Sequence, residues 1–180
     1  MSDAILLVDD EPSVLSAISR ALRYEPYDVV TELSGECALE RLAEQPFKVV
    51  MSDERMALMQ GSEFLSIVRK RYPGVVRILL TGHASLDAAI LAVNEGGIYK
   101  FLTKPWDDEE IKHTLRGAIK KHDDEQEAWR MFGLLQQKQL QLADLEGDFP
   151  GISRLERDTA GSVLLPDLSE DELDSLRSQC

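Results

Sequence analysis

Ile5-Leu6-Leu7-Val8-Asp9-Asp10-Glu11-Pro12 is an unbroken apolar run that stops on three acids and a proline. Four apolar residues without polar alternation fit a strand buried on both faces, and such strands belong to parallel sheets covered by helices. From Ser13 to Arg23 apolar residues recur at 14, 15, 18, 21 and 22, which is a helical period. The same unit then repeats along the chain. Strands are expected over Tyr27–Thr31, Phe47–Met51, Val75–Leu80 and Ile98–Leu102. Helices are expected over Glu36–Glu44, Gly61–Arg71, Ser85–Asn94 and Asp107–His122. Five strand–helix alternations predict an α/β fold with a parallel sheet between two helical layers.

The remaining residues are too few for a second full domain, because the whole chain has 180. Charge divides it. Residues 1–122 carry 15 Lys+Arg against 19 Asp+Glu, and residues 123–180 carry 5 against 14. The boundary is therefore expected at the polar run beginning His122-Asp123-Asp124-Glu125. The total of −13 argues against nucleic acid or anionic lipid as the main partner, since those surfaces need clustered cations. Two cysteines, Cys37 and Cys180, are too few for a disulfide framework. Cys37 reads as a half-buried, passive thiol. No apolar run approaches the length of a bilayer span. The first residues lack a basic region, so no signal peptide is expected there, and the expected compartment is the cytoplasm.

In doubly wound sheets ligands bind beyond the carboxyl ends of the strands. The polar residues just past four of the five expected strands are Asp9-Asp10-Glu11, Asp53, Thr81 and Lys104. Three carboxylates in one crevice repel one another unless a cation or a proton lies among them. All-oxygen ligands suit Mg²⁺, which takes one or two carboxylates, keeps waters and bridges to phosphate. Lys104 supplies a point charge for a phosphoryl oxygen, and the Thr81 hydroxyl can donate to another. A carboxylate nucleophile beside Mg²⁺, a lysine and a hydroxyl is equipped to form an acyl phosphate. Asp53, after the middle strand, is the natural nucleophile.

The segments LLVDDEPSVL, VVMSDERM, ILLTGHA and YKFLTKPW, in that order and spacing, resemble the receiver domain of two-component response regulators. The resemblance covers about residues 4–122. It implies a flavodoxin-like, doubly wound five-stranded sheet of order 2-1-3-4-5. It implies that Asp53 accepts a phosphoryl group from a sensor histidine kinase or phosphotransfer protein. Asp10 and Asp53 would ligate Mg²⁺ directly, with the backbone carbonyl of Arg55, and Asp9 would act through water. Thr81 and Lys104 would bind phosphoryl oxygens, and the Lys104–Pro105 bond would be cis. Phe101 stands where the family has its switch aromatic. Arg55 and His83 would flank the path of an attacking water and tune the lifetime of the phosphoryl group. Phosphorylation would draw Thr81 and Phe101 inward and repack the helices expected over 85–94 and 107–122. The chain departs from the family after Asp53, where Met-Pro-x-Met-Asp-Gly is usual and Met56-Ala57-Leu58-Met59-Gln60-Gly61 is found. The absent proline is expected to loosen that loop, and neither departure is expected to touch a ligand side chain.

The tail, 123–180, is expected to hold a helix over 126–146, a β-hairpin over 152–165 and a short helix over 169–178. Ala128, Met131, Leu135, Leu142 and Leu145 form an apolar stripe broken by Lys138, with Trp129 and Phe132 beside it. Such a stripe needs a cover. A short coiled coil with a second copy is the first expectation, with packing on the receiver or in another protein's groove as alternatives. No glycine-rich nucleotide loop, basic helix-turn-helix or His/Asp cluster is seen in the tail, so an output through protein–protein contact is expected, without an enzymatic domain. The downstream protein is not named by these residues. Two rivals remain: a phosphotransferase or phosphatase using an aspartyl phosphate, which typically has a second Asp where Arg55 stands, and a scaffold with an idle receiver.

Overall fold

The computed structural model describes residues 3–82 and 97–148, together with residues 156–157 and 163–164. Seven strands are described: β1 (Asp3–Val8), β2 (Tyr27–Glu32), β3 (Val49–Asp53), β4 (Val76–Thr81), β5 (Lys100–Thr103), β6 (Glu156–Arg157) and β7 (Val163–Leu164). Four helices are described: α1 (Pro12–Ala21), α2 (Gly35–Glu44), α3 (Gly61–Arg71) and α4 (Asp108–Asp148). The helix expected over Ser85–Asn94, His83, and the short helix expected over 169–178 lie outside the described residues.

The first five strands form one parallel sheet of order β2-β1-β3-β4-β5, as expected. Side chains alternate across a strand, so the sheet has two cores. Leu7, Met51, Ile78 and Leu80 face Leu15 and Ile18 of α1 and Ile111 and Leu115 of α4. Leu6, Val8, Val50 and Leu79 face Leu42 of α2 and Phe64 and Leu65 of α3. Most of these side chains are fully buried. Each contributes about 1.5–3 kcal/mol of transfer free energy relative to exposure. Burial on both faces explains why the central strands read as continuous apolar runs and not as alternating ones.

Local signals start the helices. Pro12 sits in the first turn of α1, where its missing N–H is not needed. Ser34 Oγ accepts from the Cys37 N–H at 3.2 Å and caps α2. Cys37 itself is exposed, not half-buried, because it lies on the outer side of that first turn. Asp107 Oδ1 accepts from the N–H groups of Glu109 and Glu110 at 2.8 and 3.1 Å and opens α4.

The expected break between a helix ending at His122 and a second one starting at 126 is not observed. The polar run continues as helix, and α4 is unbroken from Asp108 to Asp148. The reason lies in the spacing of its charges. Lys120 pairs with Asp124 at 2.6 Å, and Lys121 pairs with Glu125, both four residues apart. Such pairs support helix, so a charged stretch that resembles a linker is a solvated helical surface. Lys48 Nζ reaches both Asp3 and Asp123 at 2.7 Å, which ties this region to the first strand.

The chain divides into two compact units, Met1–Trp129 and Arg130–Cys180. In the second unit, β6 and β7 pair antiparallel, Glu156 opposite Leu164 and Arg157 opposite Val163, inside the stretch expected to form a hairpin. Helix α4 passes through Gly133, and a Cβ built there meets nothing within 4 Å. Gly133→Ala is therefore expected to stabilise the helix by about 1 kcal/mol. Thermal unfolding followed at 222 nm checks this, and a lowered melting temperature would count against it.

Candidate functional site

Register brings the site together. Val8 lies opposite Ser52, so the residues that follow, Asp9 and Asp53, meet at the carboxyl edge of β1 and β3. Those are the strands at which the connection order reverses, the place where a crevice opens in such sheets. Thr81 lies opposite Thr103, and the Lys104 N–H donates to the Thr81 carbonyl at 2.8 Å. This bond fixes Lys104 at the same edge. The Lys104–Pro105 peptide is cis.

Lys104 Nζ stands between two acids. It lies 2.6 Å from Asp53 Oδ1 and 2.9 Å from Asp9 Oδ2. Asp9 and Asp53 are 2% and 6% exposed, so this triad is shielded from most screening by water. Burial pushes the Asp9 carboxyl above its ordinary range, against the pull of Lys104 and of the Glu11 N–H. Burial also works against the Lys104 charge, but the hydrogen bonds that its ammonium donates to Asp53 and Asp9 outweigh it and hold the ammonium above its usual value. The remaining carboxylate oxygens are committed to backbone. Asp9 Oδ1 accepts from the Glu11 N–H at 2.9 Å, and Asp53 Oδ2 accepts from the Arg55 N–H at 2.8 Å.

A cleft of about 410 Å³ opens beside the triad, lined by Asp10, Glu11, Asp53, Arg55, Gly82 and Lys104. Of the expected site residues, Asp9, Asp53 and Lys104 are in direct contact, and Asp10 and Arg55 join them at the cleft. Thr81 ends β4 and is partly exposed. Phe101 lies on β5 opposite Leu79 and packs, partly buried, against the core shared with α2 and α3. Among the described residues no group of three or more His, Cys, Asp or Glu side chains is placed to hold a metal ion. Mg²⁺ does not need one, since it takes one or two carboxylates and completes its shell with water and phosphate oxygens. Asp10 and Asp53 on one cleft, with a buried Asp9 behind them, fit that demand.

Three features of the loop after β3 were not legible in the sequence. Gly61 sits so close to the chain that a Cβ there would lie 2.0 Å from the Asp53 carbonyl oxygen. Its N–H donates to the Glu54 carbonyl at 3.0 Å. The Glu54 carboxylate accepts from the Ser62 N–H at 2.8 Å and from the Ser62 hydroxyl at 2.9 Å, closing the loop onto the first turn of α3. These bonds hold the loop although it lacks the proline. The departure also touches an expected ligand side chain: the Ala57 N–H donates to Asp10 Oδ2 at 3.1 Å. The glycine at 61 was the visible sign. The partners of Glu54 and Asp10 lie eight and 47 positions away, beyond any local pattern.

Comparison with known proteins agrees with this geometry. Residues 5–116 match the family model described as "Response regulator receiver domain". The hydrogenase transcriptional regulatory protein HoxA of Cupriavidus necator is 39% identical over 122 residues, 66% of this chain and 25% of that protein. The chain spans about a quarter of the length of the curated relatives it matches. The signal receiver domain of an HD domain-containing protein from Pseudomonas fluorescens superposes with TM-score 0.68 at 36% identity, covering 70% of this chain and 93% of that one. A beryllofluoride-activated NtrC4 receiver domain dimer superposes with TM-score 0.63 at 32% identity, covering 67% and 98%.

Proposed function

Because the chain belongs to the response regulator receiver family, a family that implies a histidine kinase partner, we propose that Asp53 is its phosphoacceptor and that its output is protein–protein contact. The observation that carries this reading is Lys104 Nζ held 2.6 Å from Asp53 Oδ1, on the rim of a cleft shared with Asp10. An oxygen of Asp53 attacks phosphorus, the bond from phosphorus to the donor's histidine nitrogen breaks, and an acyl phosphate forms. The carboxylate's charge is then carried by phosphoryl oxygens further out. Lys104 follows that charge, and Thr81 donates to it from the end of β4. Mg²⁺, held by Asp10, Asp53 and the Arg55 carbonyl with Asp9 behind water, would supply the charge that neutralises those oxygens. Arg55 at the cleft wall, and His83, would govern access of water to the product. Drawing Thr81 and Phe101 inward shifts the population between two packings.

Trp106 follows Lys104-Pro105 and packs partly buried on the core, so its fluorescence should report the change. In a Trp129→Phe background, Mg²⁺ with beryllofluoride is expected to alter Trp106 emission. Lys104→Ala is expected to leave labelling by acetyl phosphate in place and to blunt that emission change. A full emission response in Lys104→Ala would remove lysine from the switch. Steady turnover of p-nitrophenyl phosphate would favour the rival phosphatase reading. Arg55 speaks against that reading, since it stands where such enzymes typically carry an acid. Absence of Mg²⁺-dependent labelling would favour an idle scaffold.

The second part of the reading concerns the distal part of α4. Met131, Leu135, Leu142 and Leu145 are 56%, 60%, 54% and 45% exposed at spacings of four, seven and three. These are seam positions of a coiled coil, and we assign the facing helix to a second copy of this chain. Met131→Asp with Leu135→Asp should halve the mass seen by light scattering while leaving labelling intact. A dimer that survives both substitutions would move the interface to the receiver. Among the described residues no helix is long and apolar enough to cross a membrane, and we place the protein in the cytoplasm with its kinase.

A further inference from the structure

Along the distal part of α4, Met131, Leu135, Lys138 and Leu142 follow one another at spacings of four, three and four, one seam of a helix. Met131, Leu135 and Leu142 are 56%, 60% and 54% exposed, and Lys138 between them is exposed too. Lys138 is the one charge among these four. Its neighbours along the chain are Gln136, Gln137, Gln139 and Gln141, and no acid stands between Ala128 and Asp144. A second copy laid against this stretch therefore brings no carboxylate to the middle of the seam.

We infer that α4 pairs antiparallel with a second copy of this chain, and that Lys138 is the residue that excludes the parallel pair. The inference rests on the reading above that a second copy covers this face. Two copies of one chain close on a two-fold axis, which leaves two directions for the paired helices. In a parallel pair every seam residue faces its own equivalent. Lys138 would then face Lys138 of the second copy, two like charges inside an apolar layer with no acid beside them, and burial of such charges is costly. In an antiparallel pair the four positions match among themselves. Met131 faces Leu142 of the second copy, and Leu135 faces Lys138 of the second copy. The two lysines then stand in successive layers, about 4.5 Å apart along the axis. Each lays its methylene stem over a leucine and turns its ammonium to water. A single polar residue in a seam thus selects one arrangement by what it forbids.

Cross-linking reads the direction. Two full-length variants are made in a Cys37→Ser, Cys180→Ser background: Met131→Cys and Leu142→Cys. Each is oxidised alone, and also after equal amounts are mixed under reducing conditions. A disulfide needs Cα atoms within about 7 Å. Antiparallel helices set position 142 about 16 Å along the axis from position 142 of the second copy, and position 131 likewise. Each variant alone should therefore stay unlinked. The mixture should link about half of its chains, the share that random pairing places in mixed dimers. Lys138→Leu, added to either variant, should make that variant link with itself. Self-linking with Lys138 in place overturns the inference and keeps the second copy as occupant. A dimer, seen by light scattering, that links in no sample overturns it as well. No self-linking in Lys138→Leu overturns the role given to the lysine. A monomer before oxidation overturns the occupant reading itself, and with it the pairing.

Discussion

Asp53→Asn is expected to reduce Mg²⁺-dependent labelling by acetyl phosphate to background, a fall on the order of 10³-fold or more, as when an enzyme loses its nucleophile. The substitution keeps the shape of the side chain and removes the attacking carboxylate. One amide oxygen can still accept from the Arg55 N–H, as Asp53 Oδ2 does at 2.8 Å. Lys104 keeps a partner too, because Asp9 Oδ2 remains at 2.9 Å. The fold should therefore persist, and far-ultraviolet circular dichroism should be unchanged. Asp9 is not expected to replace the nucleophile: unlike Asp53, it does not line the cleft. Mass spectrometry after labelling checks both points. Undiminished label in Asp53→Asn, on Asp9 or Asp10, would overturn the assignment.

Gly61→Ala should carry the largest stability cost of the changes considered. The added Cβ would stand 2.0 Å from the Asp53 carbonyl oxygen, 2.8 Å from its carbon and 3.0 Å from the Glu54 Cα. All three are backbone atoms, so no rotamer change relieves the overlap. The loop must move away from β3, which strains the Gly61 N–H bond to the Glu54 carbonyl and the two Ser62 bonds. Overpacking of a tight site costs about 1–3 kcal/mol, and a clash with backbone belongs at the upper end, about 3 kcal/mol. That corresponds to a fall in melting temperature of roughly 6–12 °C. Labelling should drop as well, since the displaced atoms belong to Asp53, the proposed phosphoacceptor. Ser62→Ala provides the contrast, because it removes only the hydroxyl bond and should cost about 1 kcal/mol. Equal melting of Gly61→Ala and the unaltered chain would show that the loop yields freely.

Most of the fold was legible because its signals are local. An apolar run such as Ile5–Val8 is a strand because burial on both faces leaves no polar side to alternate with. The stations at strand ends were legible for the same reason. Asp9, Asp53, Thr81 and Lys104 each end a run that was visible on its own, and parallel topology carries those ends to one edge. Helix α3 was expected over Gly61–Arg71 and is observed there. Strand limits moved by one or two residues, as with Val49–Asp53 in place of Phe47–Met51, because register and not composition decides where pairing stops. The charged run near His122, expected to separate two helices, is helical throughout. Its charges repel a core and attract water in either state, and only their four-residue spacing marks it as helix.

By itself, the order of residues determined the alternation of strands and helices, the edge of the sheet at which the polar stations gather, and the choice of Asp53 and Lys104 as the residues on which the proposed chemistry rests. Those follow from periodicity and from which polar group interrupts it, quantities a linear chain displays. Only the tertiary structure decided that Lys104 bridges Asp53 and Asp9, that Gly61 must lack a side chain, and that the Ala57 N–H holds Asp10. Each of these joins residues from separate loops at hydrogen-bond or van der Waals distance. Such distances depend on strand register and loop closure to within a fraction of an ångström, and no local pattern in the chain encodes that.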